Sequence, residues 1–131
     1  PLLESSFRED ARGQLDELGL WQLRTDTARR FGLTVNAGRD ERLHPARATG
    51  AAARYLHYLH ARYRDWPLAL AAYNAGEHRV DRALAPRPGA SFWELADGRH
   101  LPHTSRNYVP RFIAVVRIIE GVRDCHRPPE V

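Results

Sequence analysis

With 131 residues and 43% hydrophobic side chains, the chain is long enough for one packed core and fits a single domain spanning 1–131. Its formal net charge of +4 rests on 20 basic residues, every one of them Arg, and these are spread along the chain rather than bunched, which argues against a nucleic-acid-binding arm and suits an anionic polymer. No apolar run approaches the length of a bilayer span, and the lone Cys125 excludes an intrachain disulfide.

The chain opens on Pro1-Leu2-Leu3 and contains no Met, so a leading helix and any targeting or anchoring segment are expected upstream of it. Glu4 follows two leucines and precedes Ser5-Ser6-Phe7, which places a carboxyl among apolar neighbours near the end of that helix. Desolvation there disfavours the charged form, as a general acid requires, although a Glu in such a run is ordinarily just a solvated helix residue. Gly19 to Phe31 reads as a helix stopped by Gly32, and Asn36 to Leu43 reads as irregular. Helical spacing is clearest from Pro45 to about Arg64. There Ala48, Ala52, Tyr55, Leu56, Leu59 and Tyr63 fall on one stripe, with His57 on the solvated side and Pro45 suited to the first turn.

Trp66 to Tyr73 is almost wholly apolar and is expected to be a buried central helix, with Trp66 packed in the core. Asn74-Ala75-Gly76 is expected to break it before a short helix over Val80 to Leu84. The Pro- and Gly-rich stretch Ala85 to Ala90 resists regular structure, and Ser91 with Glu94 forms a capping-box pattern ahead of Phe92 and Trp93. The last helix is expected to begin near Asn107, so that Pro110 falls in its first turn. Its core face comprises Tyr108, Phe112, Val115, Val116, Ile119 and Val122, with Arg117 opposite. Strand-like alternation is nearly absent, so the class is all-α.

Four segments read together carry the chemistry: Glu4-Ser5-Ser6-Phe7, Gly19-Leu20-Trp21-Gln22, Ala72-Tyr73-Asn74-Ala75-Gly76 and Tyr108-Val109-Pro110. In order and separation they resemble the lytic transglycosylase family, the SLT or goose-lysozyme-like group. The resemblance extends through Asp40-Glu41-Arg42, Asp65-Trp66-Pro67-Leu68-Ala69-Leu70 and Phe92-Trp93-Glu94-Leu95. It implies a lysozyme-like helical fold with a substrate groove, and Glu4 as the single catalytic acid/base. It also implies cleavage of the bond between N-acetylmuramic acid and N-acetylglucosamine in peptidoglycan, with closure to a 1,6-anhydro end.

Gln22 and Asn74 each offer a donor and an acceptor for sugar amides and hydroxyls, and Tyr73 and Tyr108 pair an apolar ring with a hydroxyl. The resemblance makes these four the substrate-binding residues around Glu4. Gly19 and Gly76 suit positive φ or close backbone approach. No cofactor is implied. The expected partner is a peptidoglycan glycan strand and not nucleic acid, and the protein is expected to act as a monomer. The expected address is the periplasm or the outer membrane of a bacterial envelope, with membrane association only through upstream segments.

The chain departs from the family pattern at several places. Where the family has a Ser ahead of a Gly-Ala pair, this sequence has Gly13, Asp16 and Glu17, and Thr104 stands where the family has Glu. Two rival readings follow. In one, Asp16 or Glu17 positions a water and the enzyme is a hydrolytic muramidase of the goose-lysozyme type; in the other, the chain is an inactive peptidoglycan-binding module. The seven His residues do not make a metal centre, because His57 and His60 have no evident third ligand. Of the three Trp residues, Trp21 is the one expected near the groove.

Overall fold

In the computed structural model, residues 1–125 are described, with side-chain detail through Gly121. Among them are seven α-helices and one two-stranded hairpin, an all-α architecture. The chain divides into two compact units, Pro1–Ala69 and Leu70–Val131.

The first unit begins with α1 (Leu2–Ser5) and an irregular stretch, continues through α2 (Thr25–Arg30), the hairpin β1 (Val35–Asn36) and β2 (Arg39–Asp40) and a 3-10 turn (Glu41–Leu43), and ends with α3 (Pro45–Tyr63) and the start of α4 (Trp66–Ala75). The strands pair antiparallel, Val35 with Asp40 and Asn36 with Arg39. The tight turn is made by Asn36, whose Oδ1 accepts the Gly38 N–H at 3.0 Å. This hairpin and 3-10 turn occupy the stretch expected to be irregular, because a turn of so few residues shows no alternation to read. Helix α3 has the expected bounds within a residue. Ala48, Ala52, Tyr55 and Leu59 of its stripe are buried, together with Ala51, while Leu56 and Tyr63 are half-buried and His57 is exposed. The Phe31 ring lies 4.9 Å from that of Tyr55, and Arg54 donates to the Phe31 carbonyl, which fixes the end of α2 on α3.

The expected helix over Gly19 to Phe31 is corrected: only Thr25–Arg30 is helical. Gly19 (φ 82°) and Gln22 (φ 49°) are both left-handed, and Leu18 bridges both Arg12 and Leu23 in antiparallel fashion. A right-handed helix cannot pass through such residues.

In the second unit the rest of α4 is followed by α5 (Glu77–Leu84), α6 (Phe92–Asp97) and α7 (His103–Cys125). Its core is Leu70, Ala71, Ala72, Val80, Ala83, Phe92, Leu95, Leu101 and Val109. Asn74 and Ala75 lie within α4, not after it, and the break falls at Gly76 (φ 89°), directly before α5. The capping box at α6 is complete: Ser91 Oγ accepts from the Glu94 N–H, and Glu94 Oε2 accepts the Ser91 N–H at 2.8 Å. The second of these bonds, made to the charged form, holds the Glu94 carboxyl below the usual range.

Helix α7 starts four residues earlier than expected, so Pro110 lies inside it. Its first turn is secured by the Pro102 carbonyl, which accepts the Arg106 N–H at 3.1 Å, and by the fully buried Ser105. Pro110 therefore leaves the Arg106 carbonyl without its helical donor. The expected core face is buried only in part. Val109 is fully buried and Tyr108, Phe112 and Val115 are half-buried, but Val116 and Ile119 are exposed. The side chains of Val122 and Cys125 lie outside the described residues.

Trp66 is likewise corrected. It is 52% exposed and stacks on His60 with ring centroids 4.1 Å apart, because the buried stripe of α4 starts at Leu68. None of the described helices is long and apolar enough to cross a membrane.

Candidate active site

Glu4 is half-buried in α1, a helix that ends at once because Ser6 (φ 53°) and Phe7 (φ 62°) are both left-handed. Non-glycine residues in that region cost about 1–3 kcal/mol each and persist only where their surroundings impose the conformation. The constraint is visible at Ser5: its buried side chain donates from Oγ to the Leu20 carbonyl at 2.8 Å. That bond seats the Glu4 segment on the turn containing Leu20, Trp21 and Gln22.

The turn is built from within. Gln22 donates from Nε2 to the carbonyls of Ala11 and Gly19, both at 2.9 Å, so its amide hydrogens hold the loop, while its Oε1 lies against Gly13. Gly19 must be glycine on two counts: its φ is positive, and a Cβ there would collide with the Arg42 carbonyl. Trp21 is half-buried and donates from Nε1 to Thr49 Oγ1 at 2.8 Å.

Arg42 locks the same loop from the other side. Its buried guanidinium donates to both carboxylate oxygens of Asp40, to the Asp16 carbonyl at 2.7 Å and to the Leu23 carbonyl at 3.2 Å, and pairs with Asp16 Oδ1 at 3.3 Å. Hydrogen bonds from Arg42 hold the Asp40 carboxyl below its usual range. Asp16 is held low chiefly by the Thr25 backbone N–H, with Arg42 adding to it. Beside this clamp the buried Glu41 accepts the Thr34 N–H at 2.8 Å and pairs with Arg39 and Arg47. The Thr34 bond is the main reason that its carboxyl is also held low.

The two carboxylates that distinguish the loop from the family pattern are thus bound into the structure. Asp16 serves Thr25 and Arg42, and Glu17 accepts the Leu15 N–H at 2.7 Å. Gly13 belongs with Glu17, because a Cβ at position 13 would run into the Glu17 side chain.

In the second unit, Tyr73 is half-buried and Asn74 exposed, both in the last turn of α4. Ser105 Oγ donates to Asn74 Oδ1 at 2.9 Å and so joins the end of α4 to the start of α7. Tyr108 follows one turn later, half-buried, with its ring 6.0 Å from that of Phe112. Thr104 is exposed beside Ser105. The structure therefore joins the Glu4 and Gln22 segments within the first unit, and the Asn74 and Tyr108 segments within the second. Sequence reasoning missed the three side chains that make these joins, Ser5, Arg42 and Ser105. Ser5 and Arg42 lie within quoted motifs, Glu4-Ser5-Ser6-Phe7 and Asp40-Glu41-Arg42, but neither motif indicates the bond the side chain makes, and Ser105 carried no signal. Among the described residues, no three His, Cys, Asp or Glu side chains are grouped so as to hold a metal ion.

The Transglycosylase SLT domain matches residues 1–96 of the chain, well over half of it. The chain belongs to the transglycosylase SLT domain family. The SLT match includes Glu4, Gln22, Tyr73 and Asn74, crosses both units, and ends before Tyr108. With it the all-α architecture is identified as the lysozyme-like helical fold of SLT domains. The chain is 33% identical over 126 residues to the membrane-bound lytic murein transglycosylase D of Escherichia coli (strain K12), covering 92% of this chain and 27% of that protein. It is 40% identical over 86 residues to an Alteromonas sp. (strain M-1) protein named for tributyltin chloride resistance, covering 65% of this chain and 42% of that one. It is also 32% identical over 116 residues to the peptidoglycan transglycosylase gp16 of Escherichia phage T7, covering 87% of this chain and 8% of the phage protein. The SLT chain thus spans about a quarter of the length of the Escherichia coli relative.

Proposed function

We propose that this SLT chain is a peptidoglycan lytic transglycosylase whose acid/base is Glu4, and that residues 1–131 act as one catalytic domain, as a monomer, on glycan strands of the bacterial envelope. The observation that carries the reading is the Ser5 to Leu20 bond, which fixes the segment of the half-buried Glu4 against the turn that carries Gln22. Membership of the SLT family and likeness to two transglycosylases support the same activity.

In the proposed reaction the Glu4 carboxyl gives its proton to the oxygen linking N-acetylmuramic acid to N-acetylglucosamine, and the C1–O bond breaks. The acetamido oxygen of the muramic residue stabilises the positive C1. The Glu4 carboxylate then takes the proton of the C6 hydroxyl, whose oxygen closes onto C1 to give the 1,6-anhydro end and restore the acid. Gln22, Asn74, Tyr73 and Tyr108 contribute contacts to the strand. An inverting hydrolysis would need a second, free carboxylate to activate water. The hydrogen bonds that occupy Asp16 and Glu17 weigh against that route.

The test is mass spectrometry of muropeptides released from purified sacculi by the protein and by Glu4→Gln. Anhydro-ended products that vanish in the variant are expected. Reducing-ended products would overturn the cyclising mechanism, and sacculi bound without any release would make the chain a binding module.

A further inference from the structure

Arginines that lie scattered along the sequence are gathered onto one surface within the first unit. Helix α3 carries Arg47, Arg54 and Arg62 and has no Asp or Glu among its 19 residues. Arg47 and Arg54 are exposed and lie two turns apart on one stripe. Arg29 and Arg30, the exposed last residues of α2, join them, with the Arg30 guanidinium 4.3 Å from the centre of the Tyr58 ring on α3. A solvated helix face commonly mixes both signs, so that Glu and Arg one turn apart pair with each other. On α3 there is no acid to do so.

The acceptors that Arg29 and Arg54 use are uncharged. Arg54 donates from Nε and Nη2 to the Phe31 carbonyl at 3.1 and 2.7 Å, and Arg29 donates from the same two atoms to the Val35 carbonyl at the same distances. Each guanidinium is thereby held in place without an ion pair among the described residues, and its Nη1 is left unbonded. Arg47 pairs with Glu41, but that one carboxylate is shared with Arg39.

We infer that this face of α2 and α3 is an electrostatic docking surface for the polymer, and that its ligands are the free carboxylates of the peptides that peptidoglycan bears. The inference rests on the reading of peptidoglycan as the substrate. The apolar side of α3, with Ala48, Tyr55 and Leu59, is buried in the core, so the helix has no apolar face to insert into a lipid surface. Charges fixed in advance lose little freedom on meeting an anion, and a polymer with many carboxylates engages several of them at once.

The test measures co-sedimentation with purified sacculi at low and high salt, in the Glu4→Gln background so that strands are bound without being cut. Gly50→Glu is added because it places a carboxylate one turn before Arg54, where a Cβ would lie 3.3 Å from the Arg54 Nη1, while favouring the helix. Weaker binding with an undiminished melting temperature then reports charge and not fold. Binding is expected to weaken about 2- to 5-fold at low salt, and the two proteins are expected to converge at high salt. Arg82→Gln, an equal change of net charge on α5 in the second unit, is expected to leave binding unchanged. On sacculi whose carboxylates have been amidated, Gly50→Glu is expected to make no difference. Undiminished binding by Gly50→Glu, an equal loss with Arg82→Gln, or an equal loss on amidated sacculi would overturn the docking surface. So would an effect of Gly50→Glu seen with phosphatidylglycerol vesicles and not with sacculi. None of these outcomes needs cleavage, so failure of the unaltered protein to release muropeptides would count against the proposed activity alone.

Discussion

In the first unit the backbone from Ala11 to Leu23 is held by polar groups: Arg42 bonds two of its carbonyls, Gln22 two more, and Ser5 another. In the second unit the helices satisfy their own backbone and are held by apolar side chains, Phe92, Leu95, Val80 and Val109, with one buried hydroxyl joining α4 to α7. The difference follows from the conformations each has to keep. A loop with left-handed residues at Asp16, Gly19 and Gln22 cannot form a helical ladder; its own backbone bonds, such as Gly19 N–H to the Ala11 carbonyl and Leu18 N–H to the Leu23 carbonyl, are supplemented by these side-chain donors. Helices leave only their ends to be satisfied.

The sharpest way to separate the two modes is Phe92→Ala, expected to destabilise the protein by about 3–5 kcal/mol through an apolar cavity. The loss is expected to be nearly independent of pH in thermal melts. Next in size is Arg42→Ala, expected to cost about 3 kcal/mol, the low end for a broken buried pair, because Asp16 is more than half exposed and water takes up its charge. Unlike Phe92→Ala, it is expected to impair cleavage through the Gln22 turn even at temperatures where the protein remains folded. Gly13→Ser is expected to cost about 1–3 kcal/mol by collision with Glu17, and the cost is expected to shrink in the Gly13→Ser/Glu17→Ala double variant. Equal losses in the single and double variants would disconnect the two positions.

Acid distinguishes the units more gently. The Asp16, Asp40 and Glu41 carboxyls are all held below their ordinary values in the folded protein. Their contribution is therefore complete above the unfolded value of about 4 and is lost as pH falls through the depressed folded values. Hydrogen exchange is expected to show the first unit loosening on acidification before the second, and Arg42→Ala is expected to flatten that dependence. Smallest is Ser91→Ala, at about 1 kcal/mol for a lost helix cap.

The parts legible in the sequence were those governed by periodicity or by a local pattern. Ala48, Ala52, Tyr55 and Leu59 mark α3 because helical spacing carries them to one face, and Ser91 with Glu94 marks its own cap. Gly19 to Leu23 was misread because the apolar residues there have helical spacing, while the conformation is imposed by Arg42 and Ser5 from distant parts of the chain. Trp66 was misread because composition does not say on which side of a short helix the core lies. The start of α7 was hidden by Pro110, which the rule for first turns places near a helix start but which lies inside the helix. Motif residues could be named from sequence, but the bonds that orient Gln22 and Asn74 depend on partners that no local pattern identifies.

The central claim is that one carboxyl, Glu4, performs both proton transfers in a cyclising cleavage of the glycan strand. Digestion of sacculi by the unaltered protein is expected to yield 1,6-anhydromuramic ends, and Glu4→Gln, folded to the same melting temperature, is expected to yield none. Undiminished release of muropeptides by Glu4→Gln would contradict the account.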